Sequence, residues 1–369
     1  MRSPIQHDRL QGNPYLTHFE DDGMTKVLIH TGKRGPRIEK PLIHAGYSVV
    51  GIPGRMIRKN KMLKLMNLTK IIAREDPDLI FVDSAGLMLL AAYALSRVFR
   101  IPLLLRVRAD IWSIYDEQRE YLGFLKGVYE HILLIISERL YRRSERLFCV
   151  SEYLKKILSG KGIEKEKIRV LRFSVDTRRF HPAERDDGRI TLLSITNFSY
   201  RRKIEGLIEI LPVVDDVMSQ YENIQYLIAG KGKFSQLFKE NLETMINKDR
   251  VTYLGYQETV ETLHAGADIF IHYSFLDTSP AVVLEAMACG TPVIANRYDG
   301  MIEQIQEGVT GFLVDGKSSF RKALETLIRE KKMREEMGKK GRSFVVETYN
   351  ISHVAACFKK EIDEVLSTR

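Results

Sequence analysis

The amino-acid sequence predicts an α/β protein made of two Rossmann-like domains that face each other across a central cleft. Three observations predict it. Short apolar runs with strand character alternate with helical patterns along the chain, the pattern of parallel sheets with crossover helices. A polar, turn-rich stretch, HPAERDDGR at 181–189, divides that alternation into two series. The length, 369 residues, is ordinary for two domains.

Composition sets bounds on function. A hydrophobic content of 44% with 28% charged residues is that of a soluble globular protein. Cys149, Cys289 and Cys357 are far apart, make no metal-ligand spacing, and fit a reducing compartment. MRSPIQHDRL is no signal peptide, so a cytoplasmic location is expected. The longest apolar runs, LMLLAAYAL and ILLII, are too short to span a bilayer. The net charge of +9 admits nucleic acid, an anionic membrane surface or phosphorylated ligands as partners. Nucleic acid is set aside, because the chain lacks aromatic–basic interleaving and a known binding module.

Residues 1–23 lack periodicity and read as an irregular arm. KVLIHTG (26–32) is the first strand, GKRGP its loop with Gly32 and Gly35, and YSVVGI (47–52) the second strand. The segment 54–75 carries seven Lys or Arg residues before Glu75, interleaved with Met and Leu. A surface helix with a solvated basic face is the favoured reading, and a basic amphipathic helix on a membrane is the other. Asp76-x-Asp78 precedes the strand LIFV, and Pro77 makes it a helix-to-strand turn rather than a metal site. A helix through LMLLAAYALSRVF leads to the strand IPLLLRVR (101–108), followed by Ala109, Asp110 and Trp112. Arg106 and Arg108 project from one face of that strand, at the sheet edge where ligands bind. Trp112 has two readings, stacking on a sugar or burial. A long helix is expected over about 114–147, then the strand LFCV and the segment IRVLRFSVDTRRFHP (168–182).

The second series opens with ITLLSITNFS (190–199), the basic loop Arg201-Arg202-Lys203 and a helix GLIEILPVV. IQYLIAGKG ends in Gly230-x-Gly232, weak as a dinucleotide fingerprint without a third glycine. VTYLGYQ (251–257) brings Tyr256 to a loop, and ADIFIHYS (267–274) is the next strand. DTSPAVVLEAMACGTPVIA (277–295) then makes a loop, a helix and a second buried strand. Ser279 can cap the helix, Pro280 suits its first turn, and Gly290 suits a left-handed C-terminal cap. Asp277 precedes the helix, and Glu285 falls roughly 7 Å along its axis. Between the two acids lie the N–H groups of Ser279, Pro280-flanked Ala281 and Val282, at the positive end of the helix dipole. That layout suits a ligand with a phosphate in the middle and hydroxyls at both ends, as in a nucleotide sugar.

This string closely resembles the E-x7-E signature of retaining glycosyltransferases of family four, which have the GT-B fold. Here Asp277 stands in place of the first Glu. The resemblance covers about residues 26–366 and extends to Val150-Ser151-Glu152, to the 168–182 segment and to the closing strand near Gly308 and Gly311. Departures are Arg108-Ala109-Asp110 for a His-Gly-Asp-like turn, Phe173-Ser174 for Asn-Gly, and Asn197 at an Arg position.

The resemblance implies a GT-B enzyme with an acceptor-binding domain at 1–185, a nucleotide-sugar-binding domain at 186–345, and a C-terminal helix at 346–369 crossing back to the first domain. It implies a metal-independent, retaining hexosyltransferase without a cofactor, acting on a carbohydrate or lipid-linked acceptor, with an anionic membrane surface as a candidate partner. Lys203 would hold the donor diphosphate with Arg202 or Arg201, near Asn197, Thr278 and Gly230. Glu285 would hold the ribose, Asp277 the sugar, and Tyr256 the base. Arg108 would act at the sugar or on an acceptor phosphate, with Gly32, Gly35, Asp110 and Trp112 on the acceptor side. A second reading is a nucleotide-sugar-binding protein that has lost catalysis, motivated by those departures.

Overall fold

The computed structural model describes residues 24–30, 36–51, 61–184, 188–298 and 300–367. The expected N-terminal arm, the loop with Gly32 and Gly35, and the start of the basic 54–75 segment lie outside the described residues. Among the described residues, twelve strands form two six-stranded parallel sheets. The first holds β1 (Lys26–His30), β2 (Ser48–Gly51), β3 (Leu79–Val82), β4 (Leu103–Val107), β5 (Leu147–Cys149) and β6 (Ile168–Val170), in the order β2-β1-β3-β4-β5-β6. The second holds β7 (Ile190–Ile195), β8 (Ile224–Ala229), β9 (Val251–Gly255), β10 (Ile269–His272), β11 (Val293–Asn296) and β12 (Gly311–Val314), in the order β12-β11-β10-β7-β8-β9. Central strands such as β3, β10 and β11 are buried throughout, as both faces of a helix-covered parallel sheet require.

Helices cover both faces of the first sheet. On one face, α2 (Lys61–Glu75), α3 (Leu87–Phe99), α5 (Phe124–Arg143) and α6 (Glu152–Gly160) pack Leu68, Leu89, Leu140 and Leu154 against Leu28, Ile80 and Leu105. On the other, α1 (Pro36–His44) lies beside the C-terminal helix α14 (Ile351–Ser367), whose Val354, Phe358 and Ile362 share a core with Val27 and Phe81. The Phe81 and Phe358 rings stack at 5.8 Å, and Tyr47 Oη donates to Asp363 at 2.6 Å. The last helix of the chain is thus part of the first domain's core.

Two expectations are corrected. The long helix of 114–147 is broken into α4 (Ile111–Arg119) and α5, because Asp110 caps α4 and Gly123 stands at the N-cap of α5. The segment Arg201-Arg202-Lys203 is no loop but the first turn of α7 (Arg201–Gln220). Asp76-x-Asp78 is a turn, with Asp76 at φ 43° and Asp78 accepting the Lys26 N–H at 2.7 Å.

The placement of α7 depends on a missing side chain. A Cβ on Gly206 would stand 2.4 Å from the Tyr273 carbonyl oxygen just after β10. Only glycine lets the helix approach so closely. Gly206→Ala should therefore cost stability in the overpacking range, about 1–3 kcal/mol, read as a lower urea midpoint. An unchanged midpoint would mean that the helix has room to move.

Candidate active site between the two sheets

The carboxyl ends of both sheets open on one cleft of about 1190 Å³. In the second sheet the strand order reverses between β7 and β10, and doubly wound sheets bind ligands at such a point. The loop after β7 brings Asn197 and Ser199 to the cleft, and the loop after β10 brings Asp277, Thr278 and Ser279. A helix follows that second loop, α10 (Ala281–Ala288), with Pro280 at its N-cap. Ser279 does not cap it, which corrects the expectation: its Oγ accepts a hydrogen bond from Gln304 Nε2 at 3.1 Å. Ala281 and Val282 line the cleft, and their N–H groups are among those that a helix start leaves without an intrahelical acceptor. At the other end Gly290 takes φ 69° as the left-handed cap, and Thr291 N–H returns to the Ala286 carbonyl at 3.0 Å.

Asp277 is held from three sides. Lys203 Nζ donates to Oδ1 at 2.5 Å, while Oδ2 meets Ser274 Oγ at 2.8 Å and His272 Nε2 at 3.2 Å. Burial opposes its ionisation, but Lys203 and His272 outweigh that and hold the carboxyl far below the usual carboxylate range. Lys203 is therefore not an exposed lysine, since its side chain is 16% accessible and already paired.

Glu285 lies deeper, on α10, and is buried. Arg37, from α1 in the other domain, donates to Oε1 at 2.5 Å. His264 Nε2 stands 3.8 Å from Oε2, an electrostatic contact too long for a hydrogen bond. Burial again opposes ionisation, and His264 and Arg37 outweigh it, so the carboxyl titrates below its ordinary range. Arg37–Glu285 is one of several ties between the domains. Thr278 Oγ1 donates to the Arg108 carbonyl at 3.0 Å, Glu303 accepts the Glu152 N–H at 2.9 Å, and Glu117 accepts the Arg201 N–H at the start of α7. Burial raises the Glu117 carboxyl above its ordinary range, against the pull of those helix-start amides.

The other expected site residues divide. Arg108, Asp110, Asn197, Tyr256, Gly230, Thr278, Ser279 and Pro280 line the cleft. Asn197 Oδ1 accepts the Ser199 N–H at 2.9 Å, which shapes its loop. Gly230 and Gly232 let the loop after β8 lie against that turn, since a Cβ on Gly232 would stand 2.1 Å from the Phe198 carbonyl carbon. Asp110 faces the cleft but its carboxylate caps α4, accepting from Trp112 N, Ser113 N and Ser113 Oγ. Of the two readings of Trp112, burial holds and the acceptor-side placement is corrected: it lies in the first domain's core and donates Nε1 to Glu138 at 3.3 Å, away from the cleft. Arg202 is corrected too, because it turns to the Tyr298 hydroxyl at 3.0 Å and is absent from the cleft lining, while Arg201 turns to Tyr121 and Glu205. Gly32 and Gly35 lie outside the described residues.

Sequence reasoning missed Arg37, Lys40, Arg179 and Lys231, all of which line the cleft, and His272 beneath Asp277. His272 alone had a signal, as a polar residue ending a buried strand. Among the described residues no three His, Cys, Asp or Glu side chains assemble as a metal-ligand set. The arrangement presents a helix N-terminus flanked by two ionised carboxylates, each already fixed by a cation.

Two family models match in tandem. Residues 17–179 match the one described as Glycosyltransferase Family 4, and residues 176–344 the one described as Glycosyl transferases group 1. A GDP-mannose-dependent alpha-mannosyltransferase of Corynebacterium glutamicum is 27% identical, over 81% of this chain and 71% of the relative. A sulfoquinovosyl transferase of Arabidopsis thaliana is 27% identical over 73% of this chain, which spans only 54% of that relative. Among solved structures, Anabaena HepE in complex with UDP and glucose superposes with a TM-score of 0.72 at 16% identity, covering 94% of this chain and 100% of the other. Sucrose-phosphate synthase of Thermosynechococcus elongatus superposes with a TM-score of 0.73 at 16% identity, with the same coverage of 94% and 100%. At such identities the structural likeness establishes the GT-B fold.

Proposed function

The chain belongs to the group 1 glycosyltransferases of GT-B fold, and from that premise we propose that it moves a sugar from a nucleotide-diphosphate sugar to a hydroxyl acceptor, with retention of anomeric configuration and without a metal. One observation carries the reading: the start of α10, at the switch point of the second sheet, lies between Asp277 and Glu285 with Lys203 beside it. Carboxylates accept hydrogen bonds from vicinal hydroxyls, and helix-start amides with a nearby cation favour a diphosphate. Glu285 is assigned to the ribose, Asp277 to the sugar, and Lys203 to the leaving phosphate, whose charge grows as the glycosidic bond breaks. HepE, of the same fold, is crystallised with UDP and glucose, which supports a nucleotide sugar as the ligand class.

Retention fits the way Asp277 is held. Both its oxygens are engaged by Lys203, His272 and Ser274, which suits positioning rather than covalent attack. In the proposed step the acceptor oxygen bonds to the anomeric carbon on the face from which the phosphate departs. The bond to phosphate breaks, and the acceptor proton passes to the leaving phosphate.

A thermal-shift screen with UDP, GDP and ADP and their sugars tests the reading. A ligand at a hundredfold excess over its Kd should stabilise the protein by about 2.7 kcal/mol. No shift with any nucleotide would refute it. Binding without transfer, and with no hydrolysis of the bound donor, would favour the reading of a binding protein that has lost catalysis.

The acceptor is proposed to be lipid-linked or a polysaccharide precursor. Among the relatives is an alpha-monoglucosyldiacylglycerol synthase of Streptococcus pneumoniae, 29% identical over 51% of this chain. On α5, Phe124 and Leu125 are 84% and 82% exposed, on the sheet face that also carries the basic helix α2. Among the described residues no helix is long and apolar enough to cross a membrane. Peripheral contact should therefore show as sedimentation with anionic liposomes at low salt, each Lys or Arg near the surface adding up to about 1 kcal/mol and salt weakening it. Recovery of all protein in the supernatant would leave 54–75 as a solvated surface.

A further inference from the structure

Asp83 directly follows β3 as a buried carboxylate between Arg106 of the neighbouring strand β4 and Arg108 just beyond that strand. Arg106, also buried, donates Nε to Asp83 Oδ1 at 3.0 Å and Nη1 to the Leu171 carbonyl at 3.3 Å. Its guanidinium packs over the rings of Phe81, Phe173 and Phe358 at 5.0–5.7 Å. That pair is neutral, with Arg106 Nη2 left without a hydrogen-bond partner among the described residues. Arg108 is the remaining cation. Its Nη1 stands 3.7 Å from Asp83 Oδ2, beyond hydrogen-bond range, and neither atom has a hydrogen-bond partner among the described residues.

One carboxylate thus faces two guanidiniums, and a positive charge is left over at Arg108. The side chain is 33% accessible and lines the cleft, so water screens that charge only in part. Asp110, which also lines the cleft, makes no ion pair with Arg108 among the described residues; its carboxylate is turned to the start of α4, where it accepts from Trp112 and Ser113. Four other cations of the cleft have partners: Arg37 with Glu285, Lys40 with Asp176, Arg179 with Glu261, and Lys203 with Asp277. Lys231 is exposed to solvent. The Arg108 backbone is tied to Thr278, next to Asp277, so the surplus charge belongs to the part of the cleft beyond the diphosphate, where sugar and acceptor meet.

We propose that Arg108 receives an anionic substituent, a carboxylate or phosphate ester, carried by the transferred sugar or by the acceptor, and so selects an acidic substrate over its neutral counterpart. A guanidinium pairs with either group through two parallel hydrogen bonds. This inference rests on reading the cleft as a nucleotide-sugar site.

The test uses the full chain, saturated with whichever of UDP, GDP or ADP it binds best, in ligand-observed NMR titrations. One arm compares glucuronate with glucose. The other compares glycerol 3-phosphate with glycerol. The acidic probe of one pair should bind at least tenfold more tightly than the neutral probe, and the responding arm tells sugar from acceptor. Arg108→Gln should abolish that preference, and Arg108→Lys, which keeps the charge, should retain part of it. Equal affinity within both pairs, or a preference that survives Arg108→Gln, overturns the inference while leaving the nucleotide-sugar reading in place. If no nucleoside diphosphate binds, the nucleotide-sugar reading fails and the inference falls with it.

Discussion

Lys203→Ala is expected to lower turnover by about 10²–10³-fold, the usual loss when one preorganised donor to a developing negative charge is removed. It is also expected to destabilise the fold, because the lysine is one half of a partly buried pair: the Lys203 and Asp277 side chains are 16% and 12% accessible. Breaking such a pair leaves an uncompensated charge and costs about 3–5 kcal/mol at full burial, so the lower end applies here. The two effects separate in a double-mutant cycle. Adding Asp277→Asn to Lys203→Ala removes the stranded carboxylate and should recover stability, but not turnover.

The sign of the pH dependence follows from the same pair. In the wild type the Asp277 carboxyl is held far below its ordinary range, so its contribution to stability is complete at neutral pH and is lost only as pH falls through that depressed value. Without Lys203, burial is less opposed and the carboxyl rises, so acidification relieves part of the penalty. The stability gap between Lys203→Ala and wild type should therefore narrow from pH 8 to pH 5 in denaturant titrations. Wild-type turnover in the mutant would remove Lys203 from the leaving group, and a pH-independent gap would mean that Asp277 does not feel the loss.

The fold was legible because its signals are local. Each strand of the second sheet is a short apolar run followed by a turn, and the α10 unit carries its own C-terminal punctuation at Gly290. Parallel pairing of such runs through helices admits few topologies. The site was legible where it stays on one stretch of chain, as with Asp277, Thr278 and Glu285. It was illegible where partners come from far away in sequence. Arg37 reaches Glu285 across 248 residues, and Lys203 reaches Asp277 across 74, so no spacing rule connects them. Arg201 and Arg202 read as candidates for a second positive charge beside Lys203, but a helix turn aims successive side chains about 100° apart, and of the three only Lys203 lines the cleft. Trp112 follows the capping Asp110, and that cap starts a helix whose second residue points into the core. The sequence patterns show neither the cap nor the direction.

The two carboxylates should separate in function. Glu285 lies within α10, past the helix-start amides, where the ribose of a bound donor would fall. Its carboxylate can accept from both ribose hydroxyls, and a hydrogen bond to a charged group is worth about 1.5–3 kcal/mol. Glu285→Gln, which keeps the shape but loses the charge, should therefore weaken the free nucleoside diphosphate and the intact donor alike, by roughly 10- to 150-fold, since about 1.4 kcal/mol is a factor of ten. Part of that loss is indirect. Arg37 would lose its partner across the cleft, but with its side chain 31% accessible it can return to water. Asp277 precedes the helix, on the side of the expected sugar, and is fixed by Lys203, His272 and Ser274. Asp277→Asn should leave nucleoside diphosphate affinity within about threefold, which is under 1 kcal/mol. It should impair transfer, because the amide can no longer fix Lys203 by charge or accept from the sugar at both atoms. Calorimetric titration of both variants with the nucleoside diphosphate, alongside a transfer assay, decides between the roles. Should Asp277→Asn lose nucleotide affinity as fully as Glu285→Gln, the donor would lie across the helix start in another orientation, and the ribose would belong to Asp277.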